Sequence, residues 1–110
     1  MRKNFLAQPV MIAVAAVLAV TCSTSFAQND GASVYKAKCQ MCHGTSGLGD
    51  SAAGLAMKVK PVTDSAVRKM GEAEMIEVVK NGEGKMQAFR GKLTNEQIKD
   101  SVVYFRTFLK

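Results

Sequence analysis

The sequence has no tryptophan, two tyrosines, five phenylalanines, two prolines and a single histidine, and only 6% of its residues are aromatic. With one histidine, any metal or catalytic arrangement built on two of them is excluded. Apolar and polar residues nowhere alternate for long enough to predict a strand, so a sheet protein is excluded too. No run of five or more basic residues occurs, which argues against a nucleic-acid-binding tail despite a net charge of +6. The longest apolar run, residues 10–20, has eleven members, whereas a helix crossing a bilayer needs about 20. There is no internal repeat and no low-complexity segment.

That short apolar run follows Arg2 and Lys3 and precedes Ser25-Phe26-Ala27, small residues three and one before a cut. Residues 1–27 are therefore expected to be a cleaved export signal, leaving a mature domain of residues 28–110 that begins at Gln28 and lies in the periplasm. Lipid attachment at Cys22, with Thr21 an unfavourable residue before it, and an uncleaved apolar anchor are the alternatives. Each changes only how the domain is tethered. Loss of Arg2 and Lys3 lowers the net charge to +4. A mature chain of 83 residues with few aromatics buries little surface, and domains near this size commonly need a disulfide, metal or cofactor.

What is present reads as short helices. Asp30 can cap a helix over residues 31–38, with Val34 and Tyr35 on its apolar side. Residues 44–54 are rich in glycine, serine and alanine and predict a loop laid closely over a flat object. Asp64 or Ser65 starts a short helix that stops at Gly71. Residues 72–81 form another, with Glu72, Glu74 and Glu77 toward its start and Lys80 near its end, as the helix dipole prefers. Residues 82–91 form a loop that contains Met86. Thr94 and Gln97 are spaced as a capping box with Leu93 as a possible staple, and Ile98, Val102, Phe105 and Leu109 follow at helical spacing. The fold class is all-α.

Leader removal also takes Cys22, so Cys39 and Cys42 must be explained as a pair. Cys39-Gln40-Met41-Cys42-His43 has the C-x-x-C-H spacing of c-type haem attachment. Two thiols on one helical turn reach the two vinyl groups of a porphyrin, and the adjacent histidine is delivered beneath the iron. A structural zinc site needs four protein ligands and would have to recruit carboxylates here. A thiol–disulfide oxidoreductase is expected near a βαβ pattern, which is missing.

An electron-transferring iron needs a second ligand, and without another histidine the candidates are Met41, Met57, Met70, Met75 and Met86. Met41 lies inside the attachment turn. Met70 and Met75 suit a helix end and an apolar helix face, and Met57 a short helical stretch. Met86 is in a glycine-bounded loop between two helices and is the expected ligand, although filling gaps in a core is the commoner fate of a methionine.

On these residues the chain resembles the class I cytochromes c, in particular the small bacterial ones. The resemblance runs over residues 31–109. Gly31, Tyr35 and Cys39 follow the family's N-terminal helix pattern, Asn81-Gly82 through Lys85-Met86-Gln87-Ala88-Phe89 its methionine loop, and Val102-Val103-Tyr104-Phe105-Arg106 its closing helix. It implies one covalent haem c held by Cys39 and Cys42, with His43 and Met86 on the iron, and a close crossing of the first and last helices at Gly31 with Tyr35 and Tyr104 packed around it. It also implies that the neighbourhood of Pro61 supplies a hydrogen-bond acceptor for His43. Two departures stand out: Gln87 where the family often has proline, implying a less stiff methionine loop, and Ser101 where a larger apolar residue is common, implying a weaker crossing.

The expected function is electron transfer by Fe(II)/Fe(III) cycling, not enzymatic conversion of a substrate. The partners are redox proteins rather than nucleic acid, and no membrane span is expected in the mature form, which would be a monomer or a subunit of a redox assembly. A haem protein that binds or senses a gas through a labile Met86 is the alternative. Lys36, Lys38, Lys85 and Lys92 flank the haem-binding segments and offer a face for an acidic partner.

Overall fold

The computed structural model describes residues 30–110. The expected leader, its cleavage after Ala27 and Cys22 lie outside them. Six helices follow in order: α1 (Gly31–Lys38), α2 (Gln40–His43), α3 (Ala52–Met57), α4 (Ser65–Lys69), α5 (Glu72–Asn81) and α6 (Asn95–Arg106). Among the described residues there is no strand, only two isolated bridges, Glu83 with Met86 and Arg90 with Leu93.

Local chemistry accounts for most of the boundaries. The Asp30 carboxylate accepts from the Ala32 N–H at the start of α1, and Asp64 accepts from the Ala66 N–H at the start of α4. The capping box of α6 is complete, the Thr94 hydroxyl accepting from the Gln97 N–H at 3.1 Å and the Gln97 side chain accepting from the Thr94 N–H at 2.9 Å. The expected loop over residues 44–54 is shorter than its composition predicts, because Ser51 caps α3 and draws Ala52, Ala53 and Gly54 into a helix. That helix stops at Lys58, the one non-glycine residue with a left-handed backbone among the described residues (φ 56°).

The core forms where α1 crosses α6. A Cβ on Gly31 would collide with the Asp100 carbonyl, so the two backbones meet at a distance only glycine permits. Val34 and Tyr35 from α1 and Ile98, Ser101 and Val102 from α6 are buried there. Ser101 is 3% exposed, but its hydroxyl donates to the Ile98 carbonyl at 2.8 Å, so its burial leaves no polar group unpaired. Beside it, Tyr35 packs on Tyr104, Phe105 and Phe108 with ring centroids 5.3, 6.1 and 5.7 Å away. Four of the seven aromatic residues in the sequence thus gather beside the crossing. Arg106 of α6 reaches the preceding helices, its guanidinium donating to the carbonyl of Met70, which caps the end of α4, at 2.9 Å and lying 3.7 Å from the sulfur of Met75 in α5. Met75 is buried.

Candidate haem-attachment site

Helix α1 ends and α2 begins at Cys39, so the cysteine pair and His43 occupy a single tight turn fed directly from the core helix. The Cys39 carbonyl accepts from both the Cys42 N–H (3.2 Å) and the His43 N–H (2.9 Å). Both thiols are unlinked and half-buried. Burial, and then the charge on Cys42, push the Cys39 thiol up to about 11, so at neutral pH it is protonated. No group of three or more His, Cys, Asp or Glu able to hold a metal ion occurs among the described residues, so the donor set of a structural zinc site is not assembled here. With no strand among those residues, the βαβ context of a disulfide oxidoreductase is missing as well.

The carbonyls at the end of this turn are held from outside it. Gln40 O accepts from the Gly44 N–H at 2.8 Å, and His43 O from the Gly49 N–H at 2.8 Å. Met41 O accepts from the Ser51 hydroxyl at 2.6 Å, with Cys42 O at 3.3 Å as its weaker branch. Gly44 O accepts from the Tyr35 hydroxyl at 2.6 Å, a bond in the buried core. Burial pushes the Tyr35 phenol well above its ordinary range, so it remains a donor at any physiological pH. Helix α3 presses so closely on the turn that a Cβ at Gly54 would collide with the Cys42 carbonyl.

The His43 imidazole meets Phe105 edge to face, centroids 5.5 Å apart. Its Nδ1 is buried with no hydrogen-bond partner, and burial lowers its pKa, so the ring is neutral at pH 7. A neutral, desolvated imidazole is the form that gives a nitrogen lone pair to iron. Two free thiols one turn apart and a buried neutral histidine with an unpartnered ring nitrogen therefore fit a covalent haem, and fit zinc or disulfide exchange poorly.

Other anticipated residues are placed less directly. Met86 lies in the loop between α5 and α6, three helices after the attachment turn. It is half-buried in a closed turn in which its N–H donates to Glu83 O at 2.9 Å and its carbonyl accepts from the Glu83 N–H at 3.1 Å. Gln87, which stands where proline was expected, accepts from the Lys92 ammonium at 2.8 Å, and the Phe89 and Arg90 N–H groups return to Val79 O and Lys80 O. The last two of these bonds tie the end of the loop back to α5. The Pro61 carbonyl accepts from the Asp64 N–H at 2.9 Å, and His43 Nδ1 makes no hydrogen bond to it or to another carbonyl of the described residues. Met57 comes within 4.0 Å of the Cys42 sulfur, a proximity its position in the sequence does not suggest. Sequence reasoning also missed Ser51 and the hydroxyl of Tyr35. The only sign of Ser51 is a capping residue ahead of Ala-Ala-Gly, and Tyr35 reads as a plain apolar position.

The fold and this site define a class I c-type cytochrome, and the chain belongs to that family. Residues 26–105 match the family model described as cytochrome c oxidase, cbb3-type, subunit III. The cytochrome c6 of Thermosynechococcus vestitus is 32% identical over 108 residues, covering 94% of this chain and 90% of the relative. That of Parathermosynechococcus lividus is 33% identical over 78 residues, 68% of this chain and 83% of the relative. Among solved structures, the KustC0563 c-type cytochrome superposes with a TM-score of 0.66 at 30% identity, covering 74% of this chain and 99% of that one. The protein is accordingly a c-type haem protein of electron transfer, with its haem covalently bound.

Proposed function

We propose that the protein is an exported, periplasmic one-electron carrier. In this reading Cys39 and Cys42 hold the haem through thioethers, His43 and Met86 are the axial ligands, and no substrate is transformed. The observation that carries it is the turn itself: two unlinked thiols beside a buried, neutral histidine whose Nδ1 has no protein partner. When bound, the haem supplies one iron that alternates between Fe(II) and Fe(III), and methionine opposite histidine favours the reduced state. The chain's part is to hold both ligands fixed, to keep water away from the histidine side with Phe105 and its neighbouring rings, and to present an edge to partners. The partners are redox proteins that meet it briefly over a small contact.

Full-length protein, exported and purified, tests this directly. Its mass should correspond to a chain beginning at Gln28 plus one haem, it should cycle reversibly between two oxidation states, and the reduced form should leave added carbon monoxide unbound. Ready binding of carbon monoxide by wild type would instead support the gas-binding alternative.

Charge gives the partner question a handle. Lys36, Lys38, Lys85 and Lys92 are all exposed and flank the attachment turn and the methionine loop. Steering of an acidic partner by these lysines should make its association rate drop as salt rises from low to physiological strength, and Lys85→Glu should lower the rate at low salt. Stopped-flow reduction by a candidate partner measures both. Rates indifferent to salt and to Lys85→Glu reject steering.

A further inference from the structure

The five methionines of residues 30–110 differ sharply in how far a reagent in water can reach their sulfurs. Met75 is 6% exposed, and Met57, Met70 and Met86 are half-buried. Met41 is 76% exposed, more open than Leu48, Leu55 or Val103. Its place on the attachment turn explains this. Cys39, Cys42 and His43 stand at offsets of zero, three and four residues and share one face of the turn. At 3.6 residues per turn, Met41 lies about 100° or more around the helix from each of them, on the other face. A group held by those three side chains therefore occupies the side of the turn away from the Met41 sulfur. The open groove beside Met41 is lined by Lys36, Gln40, Thr45, Asp50 and Ser51, so a small water-soluble reagent meets the sulfur across polar surface.

We propose that Met41 is an oxidant-accepting modification site: its thioether takes up oxygen from a two-electron oxidant such as hypochlorous acid ahead of Met86, and so spares the iron ligand. The proposal rests on the reading of Met86 as that ligand. In the step the Met41 sulfur gains one oxygen and gives up two electrons, the O–Cl bond of the oxidant breaks, and chloride and a proton leave. The product, a methionine sulfoxide, is polar and disrupts a packed interior, whereas at an exposed position water accommodates it. The backbone of Met41 is held independently of its side chain, because its carbonyl accepts from the Ser51 hydroxyl at 2.6 Å. Oxidation there leaves the turn that carries Cys39, Cys42 and His43 in shape. The other sulfurs lack that freedom. Met57 lies 4.0 Å from the Cys42 sulfur and Met75 3.7 Å from the Arg106 guanidinium, so an added oxygen on either meets a neighbour at once.

The test uses full-length, haem-loaded ferric protein treated with hypochlorous acid, first at less than one equivalent per chain. Peptide mass mapping locates the added oxygen. The ferric charge-transfer band that reports sulfur ligation, together with the reduction potential, follows the iron site. Most of the added oxygen should lie on Met41, with band and potential at their untreated values. Carried to higher dose, the titration of Met41→Leu should lose the band about one equivalent per chain earlier than wild type, since each sulfoxide consumes one oxidant. Met75→Leu removes a buried sulfur and should titrate as wild type does.

Oxygen on Met57 or Met86 as early as on Met41 overturns the proposal, and so does band loss in Met41→Leu at the wild-type dose. If Met41→Leu does not accumulate, the wild-type mass map decides alone. Failure of the ligand reading has a different signature: oxygen goes first to Met41, but the later loss of the band tracks oxidation of a methionine other than Met86. That result reassigns the iron ligand and leaves Met41 as the accepting site.

Discussion

Met86→Ala should leave the haem attached and turn a closed iron site into an open one. The thioethers at Cys39 and Cys42 and the histidine are untouched by the change, so haem content per chain stays at the wild-type value. On the proposed ligation the second ligand would be lost, and alanine has nothing to replace it. Carbon monoxide, which wild type should ignore, should then bind the reduced form readily. The potential should fall on the order of 0.1 V, a fraction of the about 0.8 V over which axial ligands set haem potentials, because the thioether that favours ferrous iron is gone. The ferric charge-transfer band toward the red end of the visible spectrum, which reports sulfur ligation, should vanish. Met57→Leu, Met70→Leu and Met75→Leu are near volume-conserving controls, expected to cost about 1.5 kcal/mol or less in stability and to leave the band in place. Met57 is the control of most consequence, since its sulfur lies 4.0 Å from that of Cys42. Met75 is accounted for by its burial and its contact with Arg106. Were the band to persist in Met86→Ala and vanish in Met57→Leu, the second ligand would be reassigned while the haem itself stood.

The parts of this fold that the sequence makes legible are those whose causes are local. The capping box at Thr94 and Gln97, the Asp30 and Asp64 caps and the acid-to-base gradient of α5 each act within one or two turns, and the structure puts each helix start where they indicate. The attachment turn is legible for the same reason: Cys39, Cys42 and His43 are brought together by their spacing alone. What failed to show depended on contacts between distant segments. Ala52-Ala53-Gly54 reads as loop because small residues suit loops, yet these residues join a helix that Ser51 caps and whose glycine lies against Cys42 O. The turn in which the Pro61 carbonyl accepts from the Asp64 N–H is likewise set by the backbone path and not by residue type alone. The bond between Gln87 and Lys92 joins residues five apart across the loop, which side-chain identity alone could not forecast.

Replacing both Cys39 and Cys42 with serine should abolish retention of haem by the denatured chain. Acid protonates histidine ligands and would detach His43 from iron on the proposed ligation, and acetone then dissolves any haem held only by coordination or packing. Haem that stays with the polypeptide under those conditions is bonded to carbon or sulfur of the protein. Residues 30–110 contain two cysteines, both unlinked and on the same turn as His43, so these are the thiols available in the domain. A serine hydroxyl is similar in size but does not add to a vinyl group as a thiol does, so each substitution removes one linkage. Cys39→Ser and Cys42→Ser singly should keep haem through the remaining thioether, at lower yield. The double variant should release all of it and should itself accumulate poorly. With four rings on one side of the α1–α6 crossing and no tryptophan, a chain of this length depends on the bound group for a large share of its apolar interior. Extraction with acid-acetone followed by haem staining of a denaturing gel measures retention, and the exported yield of apo-protein measures the second effect. Wild-type protein that surrenders its haem to acid-acetone would remove Cys39 and Cys42 from the site, whatever the potential and the spectrum of the intact protein.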